Sequence, residues 1–313
     1  MRERLADAGY AAGWGAVQRL PEPLARAAFA AGGDLAARRA GRGVRQLRAN
    51  LGVVTGGQLD DAALDGLTRR AMRSYARYWR EAFRLPTMDP VRVLADAHLV
   101  GREHLDAARA AGRGIVLALP HSGNWDVAGM WLVQWLGGPF LTVAERLRPE
   151  SLYRRFVAYR ESLGFGVVPL TGGERPSSVV LREWLAAGGT TCLLVDRDLT
   201  GGGVPVTFFG RATTMPGGPA LLAARTGAAL LPAVCQFDGA GWRFVVHPPV
   251  TVDGAGRLRD RVTGAMQQVA DAFAGTIAER PEDWHVLGRI WADVGPAAVS
   301  AVPPASPAGG VGG

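Results

Sequence analysis

Residues 114–126 read Gly114-Ile115-Val116-Leu117-Ala118-Leu119-Pro120-His121-Ser122-Gly123-Asn124-Trp125-Asp126. Five consecutive aliphatic residues between a glycine and a proline suit a strand covered on both faces, since neither side then meets water. The residues from Trp125 to Leu136 predict a helix. A buried strand, a tight turn and a helix open an α/β unit, and here the turn carries a histidine, a serine and an asparagine.

The same alternation continues downstream. Strands are expected over 141–144, 167–170, 191–195 and 204–209, with a strand pair over 228–237 and 242–247 around Asp238-Gly239-Ala240-Gly241. Helices are expected from Pro149 to Gly164 and over 177–187, 219–226 and 259–278. Upstream, one helix is read over 93–111 and a long one over 60–84, with Leu64, Leu67, Ala71, Tyr75, Tyr78 and Phe83 along one stripe. Before that come two short helices broken at Pro21 and Pro23, with Tyr10, Trp14, Val17, Leu20, Leu24 and Phe29 apolar. A basic helix over 34–50 and a turn at 52–57 follow. The first helices suit a lipid headgroup layer or the surface of the domain equally well. The predicted fold is α/β, a central mostly parallel or mixed sheet covered by helices, with a helical N-terminal third. One unit spans 1–294, its membrane-proximal helices reaching to about residue 90 and its α/β core running from about 91 to 294. A disordered tail rich in proline, glycine, alanine and serine is expected over 295–313.

The 313 residues carry 35 basic and 28 acidic side chains, a net charge of +7, and every basic one is arginine. This balance attracts anionic partners: a membrane surface, a phosphorylated ligand or nucleic acid. The arginines are scattered and lack an interleaved aromatic platform, which argues against nucleic acid. Cys192 and Cys235 stand alone in apolar runs, so no metal site or disulfide scaffold is expected. No secretory signal is read at the N-terminus, and no run of about 18 apolar residues predicts a membrane span.

Chemistry concentrates around His121. Five residues of ideal helix turn through about 500°, so His121 and Asp126 meet only if the histidine sits in the turn and the acid in the first helical turn. Ser122 or Asn124 supplies the N-cap. A carboxylate on one imidazole nitrogen leaves the other free as a base; a hydrogen-bonded loop histidine satisfies the same pattern. Asp196 and Asp198 close the strand over 191–195, at the end where open sheets bind ligands, or else are solvated loop acids. Arg160 sits on the shoulder of the apolar face Leu152-Phe156-Tyr159-Leu163 and needs an anion, either Glu145 or a phosphate. Trp125, Trp131 and Trp135 are core residues or the border of an acyl-chain groove. Hydrolase, nucleotide and dinucleotide motifs are missing.

The histidine–four residues–aspartate block after a strand resembles that of the glycerolipid acyltransferases. The wider pattern is similar to the branch holding the lipid A-type acyltransferases and the actinobacterial phosphatidylinositol mannoside acyltransferases. The supporting blocks run in order: Arg48-Ala49-Asn50-Leu51, Tyr75 to Glu81, Glu145 to Pro149 with Tyr159-Arg160, and Asp196-Arg197-Asp198-Leu199. Val206 to Gly210, Met215 to Ala220, Ala223 to Ala228 and Pro281 to His285 complete them. The resemblance implies a glycerol-3-phosphate acyltransferase-like fold. It also implies a peripheral enzyme at the cytoplasmic face of the cell membrane, moving a long acyl chain from acyl-CoA to a mannose hydroxyl of a phosphatidylinositol mannoside. Acceptors of the same chemistry, another glycolipid or a lysophospholipid, remain open, as does a non-catalytic basic membrane-binding protein. Within the resemblance His121 is the base, Asp126 and Asp196 are the catalytic carboxylates, either one able to orient it, and Glu145, Arg160 and Arg225 bind substrate. No metal, no cofactor beyond the acyl-CoA co-substrate and no covalent intermediate are implied. Backbone N–H groups at the start of the Trp125 helix are placed to stabilise the thioester oxyanion.

Overall fold

The computed structural model describes residues 13–145, 150–252 and 254–295. The expectations for Tyr10, for Arg146-Leu147-Arg148-Pro149 and for the tail over 296–313 fall outside those residues.

After helical residues 13–19 come α1 (Glu22–Arg39), α2 (Arg42–Val54) and α3 (Asp61–Arg84). Asp60 caps α3 by accepting the Ala63 N–H at 2.8 Å. The stripe read from the sequence is the buried one: Leu64, Leu67 and Ala71 of α3 pack on Leu47 and Leu51 of α2. Burying each of these leucines is worth about 1.5–3 kcal/mol. No described helix is long and apolar enough to cross a membrane.

The α/β part runs α4 (Pro90–Ala95), β1 (Ala97–Val100), α5 (Arg102–Ala110), β2 (Ile115–Leu119), α6 (Trp125–Leu136), β3 (Leu141–Ala144), α7 (Glu150–Ser162), β4 (Gly166–Pro169), α8 (Ser177–Ala186) and β5 (Thr190–Leu194). It continues with β6 (Val204–Phe208), β7 (Arg211–Met215), α9 (Gly218–Thr226), β8 (Ala229–Asp238), β9 (Gly241–Val246) and α10 (Leu258–Glu279). Seven strands form one sheet in the order β1-β9-β8-β2-β5-β3-β4, and β6 and β7 make a separate antiparallel hairpin. β2 lies between β5 and β8 and is parallel to both, and β3 and β4 extend the parallel run. β9 turns back antiparallel on β8, so the sheet is mixed but mostly parallel.

All five residues of β2 are buried. Val116 and Ala118 enter the core beneath α8, α9 and α10, while Ile115, Leu117 and Leu119 enter the core beneath α3, α5 and α6. The aliphatic run at 115–119 thus faces apolar side chains on both sides, as its composition demanded.

Three boundaries differ from expectation. The helix read over 34–50 is interrupted at Ala40, which takes a left-handed conformation (φ 42°), so α1 and α2 are separate helices. The helix read over 93–111 is two short helices with β1 between them; an edge strand whose burial alternates leaves too weak an aliphatic signal. The strand expected over 204–209 has an unforeseen partner in β7, whose Arg-Ala-Thr-Thr-Met sequence is largely polar and exposed.

Candidate active site

Parallel pairing of β2 with β5 places Leu119 opposite Leu194. His121 and Asp196 each follow two residues later, so the register alone brings them to the same point beyond the carboxyl ends of the two central strands. The side chains meet there: His121 Nδ1 lies 2.6 Å from Asp196 Oδ1. The His121 backbone N–H donates to Asp196 Oδ2 at 2.9 Å, and Trp284 Nε1 donates to the same oxygen at 2.8 Å. Asp196 is fully enclosed, whereas the His121 side chain keeps 22% exposure.

Burial works to raise the Asp196 pKa. The His121 imidazole and the N–H donors outweigh that effect and hold the carboxyl below its usual range. An ionised carboxylate only accepts, so Nδ1 carries the imidazole proton and Nε2 presents its lone pair.

The turn holding His121 is built from both ends of the chain. Gly123 adopts φ +56°, and a Cβ there would lie 2.6 Å from the Cys235 carbonyl oxygen, so only glycine lets the turn pass so close to β8. Ser122 Oγ donates to that carbonyl at 2.7 Å. The Gly123 N–H donates to the Asp283 carbonyl at 2.8 Å, and the His285 N–H donates to the His121 carbonyl at 2.7 Å. Asn124 is the N-cap of α6, and its Oδ1 accepts from the Asp126 and Val127 N–H groups. Those two donors are therefore engaged by the cap, which leaves the Trp125 N–H of the first helical turn outside it.

Asp126 points away from His121. Its carboxylate accepts from Tyr78 OH and from Arg160 Nε, each at 3.2 Å. Burial opposes the Arg160 charge, but Asp126 beside it more than compensates and raises its pKa. Arg160 therefore pairs with Asp126 and not with Glu145, which is exposed just beyond β3. Arg225 is exposed in the last turn of α9. The next strand starts at Ala229, which pairs with Ile115, so Arg225 lies at the amino ends of the central strands. One strand length, about 17 Å, separates that end from His121. Asp198 accepts from the N–H groups of Thr200, Gly201 and Gly203 and from Thr214 Oγ1, which closes the glycine turn. Of the six residues singled out, His121 and Asp196 form one group, Asp126 and Arg160 a second, and Glu145 and Arg225 stand outside both.

Two further groups escaped the sequence reading. Glu81, buried on α3, accepts from Arg77 Nε, Arg80, Asn124 Nδ2 and Trp242 Nε1, tying the long helix to the cap of α6 and to β9. Ser74 Oγ donates to Asp283 Oδ1 at 2.6 Å and lies 2.9 Å from His285 Nε2, behind the His121 backbone. The run Asp283-Trp284-His285 was the available signal, since three such residues seldom stand together in an exposed loop.

Beside His121 an apolar cavity runs between the sheet and α6. Leu117, Leu119, Cys192 and Leu194 of the sheet face Trp131 and Phe165 across it. Trp125 also lines it and stands edge-on to the imidazole, with ring centroids 5.7 Å apart. The two cysteines border this space; burial pushes the Cys235 thiol up to about 12, so it stays protonated.

A histidine held by a buried carboxylate beside an apolar cavity suits acyl transfer to a hydroxyl, and comparison with known proteins points the same way. The chain matches the model of the bacterial lipid A biosynthesis acyltransferase family over residues 3–293. It is 54% identical over 288 residues to the phosphatidylinositol mannoside acyltransferase of Mycolicibacterium smegmatis, with 92% of each chain covered. It is also 54% identical to the protein of that name from Mycobacterium tuberculosis strain CDC 1551, covering 91% of this chain and 88% of the relative. The chain belongs to the bacterial lipid A biosynthesis acyltransferase family.

Proposed function

We propose that this protein moves a long acyl chain from acyl-CoA to a mannose hydroxyl of a phosphatidylinositol mannoside, at the cytoplasmic face of the membrane. The observation that carries the reading is His121, oriented through Nδ1 by Asp196 at the edge of an apolar cavity. The mycobacterial relatives, both phosphatidylinositol mannoside acyltransferases by name, support the acceptor. Net positive charge and the exposed Leu24 and Leu35 on α1 support a membrane surface.

In this mechanism the acyl chain lies in the apolar cavity and its thioester carbonyl stands next to His121. Nε2 takes the proton of the acceptor hydroxyl as the oxygen attacks the carbonyl carbon. The C–O bond forms, the C–S bond breaks, and the imidazolium returns its proton to the departing thiolate. The Asp196 carboxylate stays ionised and stabilises the imidazolium between the two transfers. A positioned base contributes roughly 10²- to 10⁴-fold, and holding both substrates in line contributes much of the remainder. Asp126, Arg160 and Tyr78 hold the first turn of α6, and with it Trp125, against the cavity.

The test is release of free CoA from palmitoyl-CoA by purified protein, with and without mannosylated phosphatidylinositol, for wild type and His121→Ala. Release that needs both the acceptor and His121 is the expected result. Full transfer by a folded His121→Ala protein would overturn the mechanism, and release that ignores the acceptor would overturn the choice of acceptor.

A further inference from the structure

A second pocket, rich in arginine, lies away from His121, between α1, α3 and the β8–β9 turn. Arg26, Arg73, Arg77 and Arg80 line it, with Phe29 and the backbone of Gly239 and Ala240, around about 480 Å³ of space partly open to solvent. We propose that this pocket binds a phosphate group, with Arg26, Arg73 and Arg80 as its ligands.

The argument starts from charge. Arg26, Arg80 and Arg84 share Glu22, Arg77 and Arg80 share Glu81, and Arg69 and Arg73 share Asp34. Six guanidiniums are thus served by three carboxylates among the described residues. Arginine stays charged at any ordinary pH, and four of the six, Arg26, Arg73, Arg77 and Arg80, line the concave wall, where like charges repel strongly.

Arg80 is where the deficit is sharpest. Its side chain is 8% exposed; it donates to Glu81 at 3.2 Å, while Glu22 stands farther off at 3.6 Å. Its Nε is buried with no hydrogen-bond partner. Burial pulls its pKa down despite both acids. A buried cation with an idle donor calls for an anion rather than a neutral ligand.

The neighbouring donors suit a phosphate. Arg77 is fully committed, with Nε on Glu81 and its two terminal nitrogens on the carbonyls of Gly239, Ala240 and Gly241. Those carbonyls are therefore satisfied instead of facing an incoming anion. Arg26 and Arg73 have side chains that are 60% and 48% exposed at the rim; Arg73 holds Asp34 through Nε and Nη2, each at 2.6 Å, and Arg69 can keep that carboxylate if Arg73 turns inward. Three guanidinium forks around one tetrahedral group match its oxygens in a way a carboxylate would not. The phosphate has two sources, an anionic lipid headgroup or a soluble phosphate. The proposal does not depend on the acyl-transfer reading, because no reacting group enters it.

The test measures binding, not turnover. Inorganic phosphate is titrated calorimetrically into the full chain, and co-sedimentation compares phosphatidylcholine vesicles with and without phosphatidylinositol. Wild type is compared with Arg26→Gln/Arg73→Gln, Arg80→Met and the charge-matched control Arg38→Gln/Arg39→Gln. The rim double variant leaves the buried Arg80–Glu81 contact intact, so the test survives even if Arg80→Met fails to fold. The expected result is at least a tenfold loss of phosphate affinity in the rim variant and less than twofold in the control. A parallel loss of binding to phosphatidylinositol vesicles identifies a headgroup as the source; unchanged vesicle binding identifies a soluble phosphate. The proposal is overturned if wild type binds neither probe, or if the control loses as much as the rim variant.

Discussion

Two aspartates flank the same turn, both almost completely buried, and they are put to opposite uses. Asp196 bonds an imidazole that keeps an open side, together with a backbone N–H and an indole N–H. Asp126 bonds the half-buried guanidinium of Arg160 and the buried phenol of Tyr78. The partner of Asp196 is an imidazole, a group able to gain and lose a proton, so in the proposed mechanism that carboxylate orients the base. The guanidinium beside Asp126 keeps its proton, so in the proposed mechanism that carboxylate holds the first turn of the helix in place. Burial does not separate the two carboxylates, and neither does the exposure of their partners; the chemical nature of the partner does.

Asp196→Asn breaks the comparison on one side, with the largest effect. The Oδ2 position serves two N–H donors, so the amide oxygen settles there and the NH₂ group faces His121 Nδ1. The amide then donates to Nδ1, moves the imidazole proton to Nε2 and removes the base. Transfer should fall by roughly 10²- to 10⁴-fold. The thermal midpoint should shift little, because the packing is isosteric. Normal turnover in this variant would mean that His121 is not the base.

Asp126→Asn tests the other side and should show up first in stability. Removing one charge leaves the half-buried Arg160 without its counter-ion, a loss below the about 3–5 kcal/mol of a fully buried pair because water reaches the guanidinium. Denaturant unfolding should detect it directly. Activity lost from protein that remains folded should recover in the double variant Asp126→Asn/Arg160→Met, in which no lone charge is left. If Asp126→Asn leaves stability untouched while abolishing transfer, the two aspartates are not divided as argued.

This division was only half legible from the sequence. The aliphatic run before His121 identified β2, and similar runs identified β3, β4, β5 and β8, because a strand buried on both faces tolerates little else. The capping role of Asn124 and the apolar stripe of α3 could be read in the same way. Sequence proximity, however, suggested Asp126 as readily as Asp196 for the partner of His121. The choice is made by the β2–β5 register, which joins residues 75 positions apart. Glu81 and Trp284 stood out only as parts of family blocks; their bonding partners were hidden for the same reason, since those lie on other elements. The break at Ala40 carries no local signature, because a left-handed turn there would ordinarily call for glycine or asparagine.

A third buried pair sharpens the contrast with the smallest effect. Burial raises the Asp283 pKa to about 6, against its hydrogen bonds from Ser74 and Phe237, and lowers that of His285 to about 3. Folded protein therefore holds both groups neutral at pH 5. For Asp283, whose folded pKa is raised, stability is present at low pH and is lost as pH rises through about 6; between pH 7 and 5 this amounts to about 1.4 kcal/mol gained. For His285 the unfolded chain binds the proton, so stability falls below about pH 6.5, by about 2 kcal/mol at pH 5. His247, also lowered by burial, acts in the same direction as His285, so each variant is read as a difference from wild type. The change in unfolding free energy from pH 7 to 5 should be more favourable than wild type in His285→Met and less favourable in Asp283→Asn. Neither group offers the exposed, orientable lone pair that His121 has. Equal pH dependence in all three proteins would mean that the pair behind His121 titrates normally and is open to water, so that exposure no longer sets His121 apart.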